Sequence, residues 1–197
     1  MTLRDHLARS AVRVFAVNER MNQLLLGALD PAAWTTKPPG KVRTIAAIFT
    51  HMHNVRTKWI RLTAPHLKVP RQLARTHCTP QQASAALAES AARCTEMLAE
   101  ALSGPKDAGS KGAGPHHPDP NRPDSPRVTQ FLRDGWAKPW PVDADGAGGI
   151  EMLAYMLAHE AHHRGQICML AHQLGFPLPG RVTSELWSWE RRWKEGR

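Results

Sequence analysis

Imidazoles spaced for a common partner are the first chemistry legible in this chain. His159 and His163 stand four residues apart within residues 148–175, GGIEMLAYMLAHEAHHRGQICMLAHQLG. Met152, Met156, His159, His163, Ile167, Leu170 and Leu174 recur there at helical spacing, which predicts one long amphipathic helix. Residues i and i+4 of a helix share a face, about 40° apart, so both rings can converge on one point. Neutral imidazole is the commonest protein metal ligand and suits Zn, Ni, Fe or Cu. The plain alternative is a pair of hydrogen-bonded core histidines. Against it, two unpaired polar rings in an apolar stripe are costly to bury.

The letters from His159 to His163 also satisfy H-E-x-x-H, the zinc-protease motif with Glu160 as general base. Glu185 or Glu190 could supply a third ligand in that reading. The context is poor, because the chain shows no convincing strand for the sheet such proteases set beside the motif helix. The protease stays a minor alternative.

A third imidazole comes from residues 44–63, where Ile48, His51, Met52, Val55, Trp59 and Leu62 form another helical stripe. His51 is in phase with Val55 and Trp59, whereas His53 lies about 200° round the wheel and belongs on the flank. Three neutral nitrogens with open positions describe a catalytic-type metal site.

Four long helices must position these residues. Leu3, Leu7, Val14, Val17, Met21, Leu24, Leu25 and Leu29 pattern a first helix that Asp30-Pro31 ends. A turn-rich connector follows, with Trp34 packing over the bundle end. The second helix, 44–63, is stopped by Pro65, and residues 65–80 read as a Pro-punctuated basic linker. Thr79 caps a third helix from Pro80 to about Leu102, with Ala83, Ala86, Leu87, Cys94, Met97 and Leu98 inward. Residues 103–127 are Gly-, Pro- and Ser-rich, a flexible loop by composition in which His116-His117 is solvated. Trp136 and Trp140 then approach the long helix. Residues 182–194 make a short tail helix capped by Thr183 or Ser184. The expectation is an all-α four-helix bundle with a short C-terminal helix, one domain over residues 1–197.

No apolar run approaches the roughly 20 residues of a membrane span. The start, MTLRDHLARSAVRVF, lacks the apolar core of a secretory signal, so cytoplasm is expected. Cys78, Cys94 and Cys168 show no CxxC spacing, which argues against a disulfide framework or thiolate zinc site and makes Cys168 a buried structural thiol. Charge is uneven. Nine of the 26 Lys and Arg lie between Asp30 and Glu89, where no acid occurs, and the other 17 are matched by the 17 Asp and Glu. That excess is first a solvated basic face, next a site for an anionic small molecule, with Arg56, Lys58 and Arg61 as candidates. Attraction to nucleic acid ranks last.

His51 with Trp59 eight residues on, then His159-x-x-x-His163 followed at once by Arg164-Gly165-Gln166-Ile167, resembles the DinB/YfiT-like superfamily. HHRGQI is the most specific element, and helix order and spacing agree over nearly the whole chain. The resemblance implies an up-down-down-up four-helix bundle holding a divalent metal, usually Zn or Ni, on His51, His159 and His163. It makes His162 a neighbour and Gly165 a close-packing position, while helical geometry puts Glu160 about 100° off His159, away from the metal stripe. Arg164, Gln166 and His162 could orient substrate or a ligand. Some relatives are transferases or isomerases using a low-molecular-weight thiol, whose thiolate the metal is thought to stabilise. The chain looks closer to the damage-inducible members, which have no settled activity, and departs from both groups in its Gly/Pro loop and acid-free basic segment. The leading expectation is a metal-dependent thiol transferase or hydrolase acting on a small molecule. The alternative is a non-catalytic, metal-bound stress-response protein working as a homodimer or through nucleic acid.

Overall fold

Several helix ends in this chain fall where side chains or a closing turn satisfy unpaired backbone groups. The computed structural model describes residues 3–74, 77–103 and 147–195; among them every regular element is a helix. Expectations for residues 104–146, including His116-His117, Trp136 and Trp140, lie outside the described residues. No helix among the described residues is long and apolar enough to cross a membrane.

Helix α1 (Leu3–Ala28) is followed by α2 (Pro31–Thr35), α3 (Ile45–Thr63), α4 (Pro80–Ser103), α5 (Ala147–Gln173), α6 (Gly180–Glu185) and α7 (Trp189–Lys194). Part of the expected connector after α1 is helical. Asp30 accepts a hydrogen bond from the Ala32 amide at 2.7 Å, and Pro31 occupies the first turn. Trp34 is buried, stacked on Phe49 with centroids 5.5 Å apart, and its indole N–H donates to the Cys78 carbonyl. Thr44 caps α3 at the Ala47 amide. Thr79 and Gln82 form a reciprocal capping box at α4, each side chain accepting from the other's backbone amide. At the end of α5, Gly175 adopts φ 85° while the Phe176 amide bonds Ala171 O and the Gly175 amide bonds His172 O. This is a Schellman closure, where a side chain would be strained.

The tail is two one-turn helices rather than one, and Thr183 and Ser184 are not caps. Both hydroxyls donate to the Gly180 carbonyl inside α6. Arg192 of α7 bonds both Glu185 of α6 and Glu195, tying the two short helices together. Arg13 then stacks on Trp193 at 3.8 Å, and Arg20 donates to the Arg192 carbonyl, fastening the tail to α1.

α4 packs along α1 and α3, and α5 touches all three. The interior has two apolar clusters. One holds Leu25 and Leu26 of α1, Ile45 to Met52 residues of α3, Ala83 and Leu87 of α4, and Ile167, Leu170 and Ala171 of α5. The other holds Ala8, Ala11 and Phe15, then Trp59 and Ile60, then Ala91 to Leu102 residues, then Met152, Leu153 and Met156. Between them each long helix contributes polar residues: Asn18 and Asn22, His53 and Arg56, Ser90, Glu160 and His163, all buried. The expected α1 face is buried at Val17, Met21 and Leu25 but departs from expectation elsewhere. Leu7 is 52% exposed, and the buried seam runs Ala8, Ala11, Phe15, Asn18, Asn22, Leu25. Apolar periodicity misses this face because two of its innermost positions are asparagines.

Candidate metal centre

Two turns of α5 and one of α3 bring three imidazoles together. His159 Nε2 lies 3.3 Å from His51 Nε2 and 3.1 Å from His163 Nε2. One nitrogen from each ring falls within 4.8 Å of the others, a group that could hold a metal ion. Nitrogens about 2.0–2.1 Å from one tetrahedral ion would sit about 3.3–3.4 Å apart, close to these spacings. The donors therefore fit one small divalent cation, with at least one coordination position left to another ligand.

The rings are held from behind. The Nδ1–H of His163 donates to Gln166 Oε1 at 2.7 Å, which leaves the Nε2 lone pair for the cluster. Tyr155 stacks on His159 with centroids 5.7 Å apart and planes 16° apart, and Trp59 meets Tyr155 edge-on at 5.4 Å. Burial, then the neighbouring His163, lowers the pKa of His159 to about 4. Burial also lowers that of His163 against the opposing Gln166 hydrogen bond. Both rings are neutral near pH 7, the protonation state that binds metal.

The other expected residues divide. His162 is exposed, its ring 5.2 Å from that of His163. Gln166 reaches the cluster, but Arg164 turns to α1, where its guanidinium donates to Asn18 Oδ1 at 2.6 Å and Asn22 Oδ1 at 2.8 Å. Gly165 is not a close-packing position, since a Cβ there would meet nothing within 4 Å. The tight approach is at Gly149, whose Cβ would come within 2.9 Å of Leu102. His53 is fully buried rather than on a flank, with Nε2 2.9 Å from the Arg71 carbonyl and Nδ1 3.1 Å from Ser90 Oγ. Beside it, Asn54 exchanges two hydrogen bonds with the Leu73 backbone, stitching the linker to α3.

Arg56, Lys58 and Arg61 do not share a surface. Arg61 is exposed at the end of α3. Lys58 lies 5.0 Å over the Trp59 ring, and burial lowers its pKa to about 8. Arg56 is interior, its side chain 1% exposed. It donates through Nε to Glu160 Oε1 at 2.6 Å, through one terminal nitrogen to Glu160 Oε2 at 2.8 Å and Glu19 Oε2 at 2.7 Å, and through the other to the Leu87 carbonyl. Glu160 also accepts from Asn18 and Asn22. Burial alone would raise its pKa, but the Arg56 charge and these hydrogen bonds hold it below the usual carboxylate range. A carboxylate so engaged and directed away from the histidines is not placed to act as an H-E-x-x-H general base, and no strand stands beside the motif among the described residues. Glu185 and Glu190, the other acids of that reading, pair within the tail.

Sequence reasoning missed Tyr155 and the polar layer of Asn18, Glu19 and Asn22. The asparagines carried a signal. They are four apart and in phase with Ala8, Ala11, Phe15 and Leu25.

A family model described as the DinB family matches residues 127–192. The match takes in His159, His163 and the Arg164–Gln166 string, and leaves His51 and Trp59 outside it. No curated protein matches the chain, and no solved structure does.

Proposed function

We propose that this DinB-like chain is a divalent-metal-dependent enzyme whose ion is held by His51, His159 and His163. The observation that carries the reading is the convergence of three Nε2 atoms from helices 108 residues apart in sequence. We read the fold as an up-down-down-up four-helix bundle. The order in which the helices meet the two apolar clusters supports this, α1 and α5 ending at one cluster where α3 and α4 begin.

An all-nitrogen set of three imidazoles favours Zn or Ni over a hard, oxygen-seeking cation. Bound there, such an ion would act as Lewis acid toward a thiol or water in its open position. The chain's own part is preparation. Gln166 fixes the His163 tautomer, burial keeps His159 and His163 neutral, and Tyr155 with Trp59 walls one side of His159. A low-molecular-weight thiol is the cosubstrate we favour, because the acid-free segment leaves exposed Lys41, Arg43 and Arg61 to attract its carboxylates.

Elemental analysis of tag-free protein beside His159→Ala tests the reading. About one Zn, Ni or other divalent ion per chain, lost in the variant, is the expected result. No metal in wild type after reconstitution would overturn it.

A second reading, a metal-bound homodimer acting by contact, is favoured by Trp187, which is 83% exposed on the tail. Sedimentation of wild type against Trp187→Ser checks it; a monomer in both would dismiss it.

A further inference from the structure

We infer that Arg56 and Glu160 are positioning residues for the histidine cluster: their ion pair sets the rotation and register of α5 against α3 that carries His51 to His159 and His163. The inference rests on the metal-site reading and adds to it the device that builds the site before metal arrives.

Besides their apolar packing, α3 and α5 are joined by polar side chains at two places. One is the histidine cluster; the other is the double hydrogen bond between Arg56 and Glu160. The same turn of α5 serves both, because Glu160 follows His159 directly, about 100° further round the helix. α3 likewise carries His51 and, five residues on, Arg56. Any roll or slide that moved one crosslink would move the other.

The apolar clusters on either side cannot set this register alone, since burial of apolar surface is non-directional. A roll of about 20° on a helix about 5–6 Å in radius displaces a side-chain tip by about 2 Å. That is enough to take a nitrogen out of a common coordination sphere of about 2.0–2.1 Å. Charge-assisted hydrogen bonds of 2.6–2.8 Å do not permit such a shift. The partners of the pair immobilise it in turn. Asn18 and Asn22 hold Glu160 from α1, Arg164 orders those asparagines, Glu19 takes the remaining Arg56 donor, and Leu87 O receives the last bond from α4.

Stability does not explain the arrangement. Desolvating two charges offsets much of their attraction, and apolar pairs of similar volume often serve a fold as well. Directional placement is what an apolar pair could not supply.

The test compares wild type, Glu160→Asp and the double variant Arg56→Met with Glu160→Met, each metal-free and titrated with Co2+. Circular dichroism monitors folding, and imidazole 15N resonances report the three rings without metal. The double variant is expected to stay helical and to bind Co2+ about tenfold or more weakly, with shifted His51, His159 and His163 resonances. Wild-type affinity and an unchanged Co2+ spectrum would overturn the inference. If the double variant does not fold, Glu160→Asp decides. It keeps the charge but withdraws the carboxylate by one methylene, so a folded protein with weakened binding upholds the inference and unaltered binding defeats it. Should wild type itself bind no Co2+, the metal reading fails. Positioning is then judged by the metal-free 15N spectra alone, where unchanged rings in Glu160→Asp would defeat it and shifted rings uphold it.

Discussion

Gln166 Oε1 sits 2.7 Å from His163 Nδ1, three residues along the same helix. A carbonyl oxygen can only accept, so the proton is on Nδ1 and the opposite nitrogen is free to ligate. Gln166→Leu keeps the side chain's bulk and removes that acceptor. We expect a drop of about 10–100-fold in Zn2+ affinity at unchanged helicity. Competition with a chromophoric chelator measures it, and wild-type affinity would show that the bond orders nothing.

Acid should weaken the metal-free fold before it would an ordinary helical protein. His159 has a pKa near 4 in the folded chain against an ordinary 6.5. Between those values the unfolded chain binds more protons, and stability rises with pH. The contribution is fully present above about 6.5 and lost as pH falls toward 4. Glu160, also lowered, works in the same direction at the acid end of that window. The urea midpoint of metal-free protein is expected to be lower at pH 5 than at pH 7, with a shallower dependence in His159→Ala. Equal midpoints in wild type would contradict the burial of this ring.

Two glycines of α5 should answer oppositely to substitution. A Cβ at Gly149 meets Leu102 at 2.9 Å and Ala101 at 3.2 Å, so Gly149→Val is expected to destabilise by about 1–3 kcal/mol. Gly165 has open space around it, and Gly165→Ala should stabilise by about 0.5–1 kcal/mol through helix propensity. Thermal unfolding of both variants reads the contrast. A destabilised Gly165→Ala would mean that something packs there after all.

Removing Arg56 takes away the cation hydrogen-bonded to buried Glu160 and leaves that carboxylate only the neutral donors Asn18 and Asn22. Arg56→Met should therefore cost about 3–5 kcal/mol, more than the double variant with Glu160→Met. Denaturant unfolding of the two compares them, and a single variant as stable as the double would contradict full burial of Glu160.

That the three histidines cluster was legible in the sequence because residues meeting at one point must face it from their helices, and helical phase is a local property of the chain. His159 and His163 are four apart, and the phase of His51 within its apolar stripe separated it from His53 without a third dimension. Helix limits were legible where a cap or breaker sits beside them, as at Thr44, Thr79 and Gly175. They failed in the tail, where the chain forms two helices whose mutual contact, Arg192 to Glu185, is tertiary.

Which polar residues face inward was decided only by the tertiary structure. Asn18, Asn22, Arg56 and Glu160 look like surface residues along the chain, because burial of each is tolerable only with partners 31 to 146 residues away. Periodicity reports a preference for leaving water, which apolar side chains carry individually. A buried charge has no such preference until its counter-charge arrives from another helix, so the layer exists only once α1, α3, α4 and α5 have met.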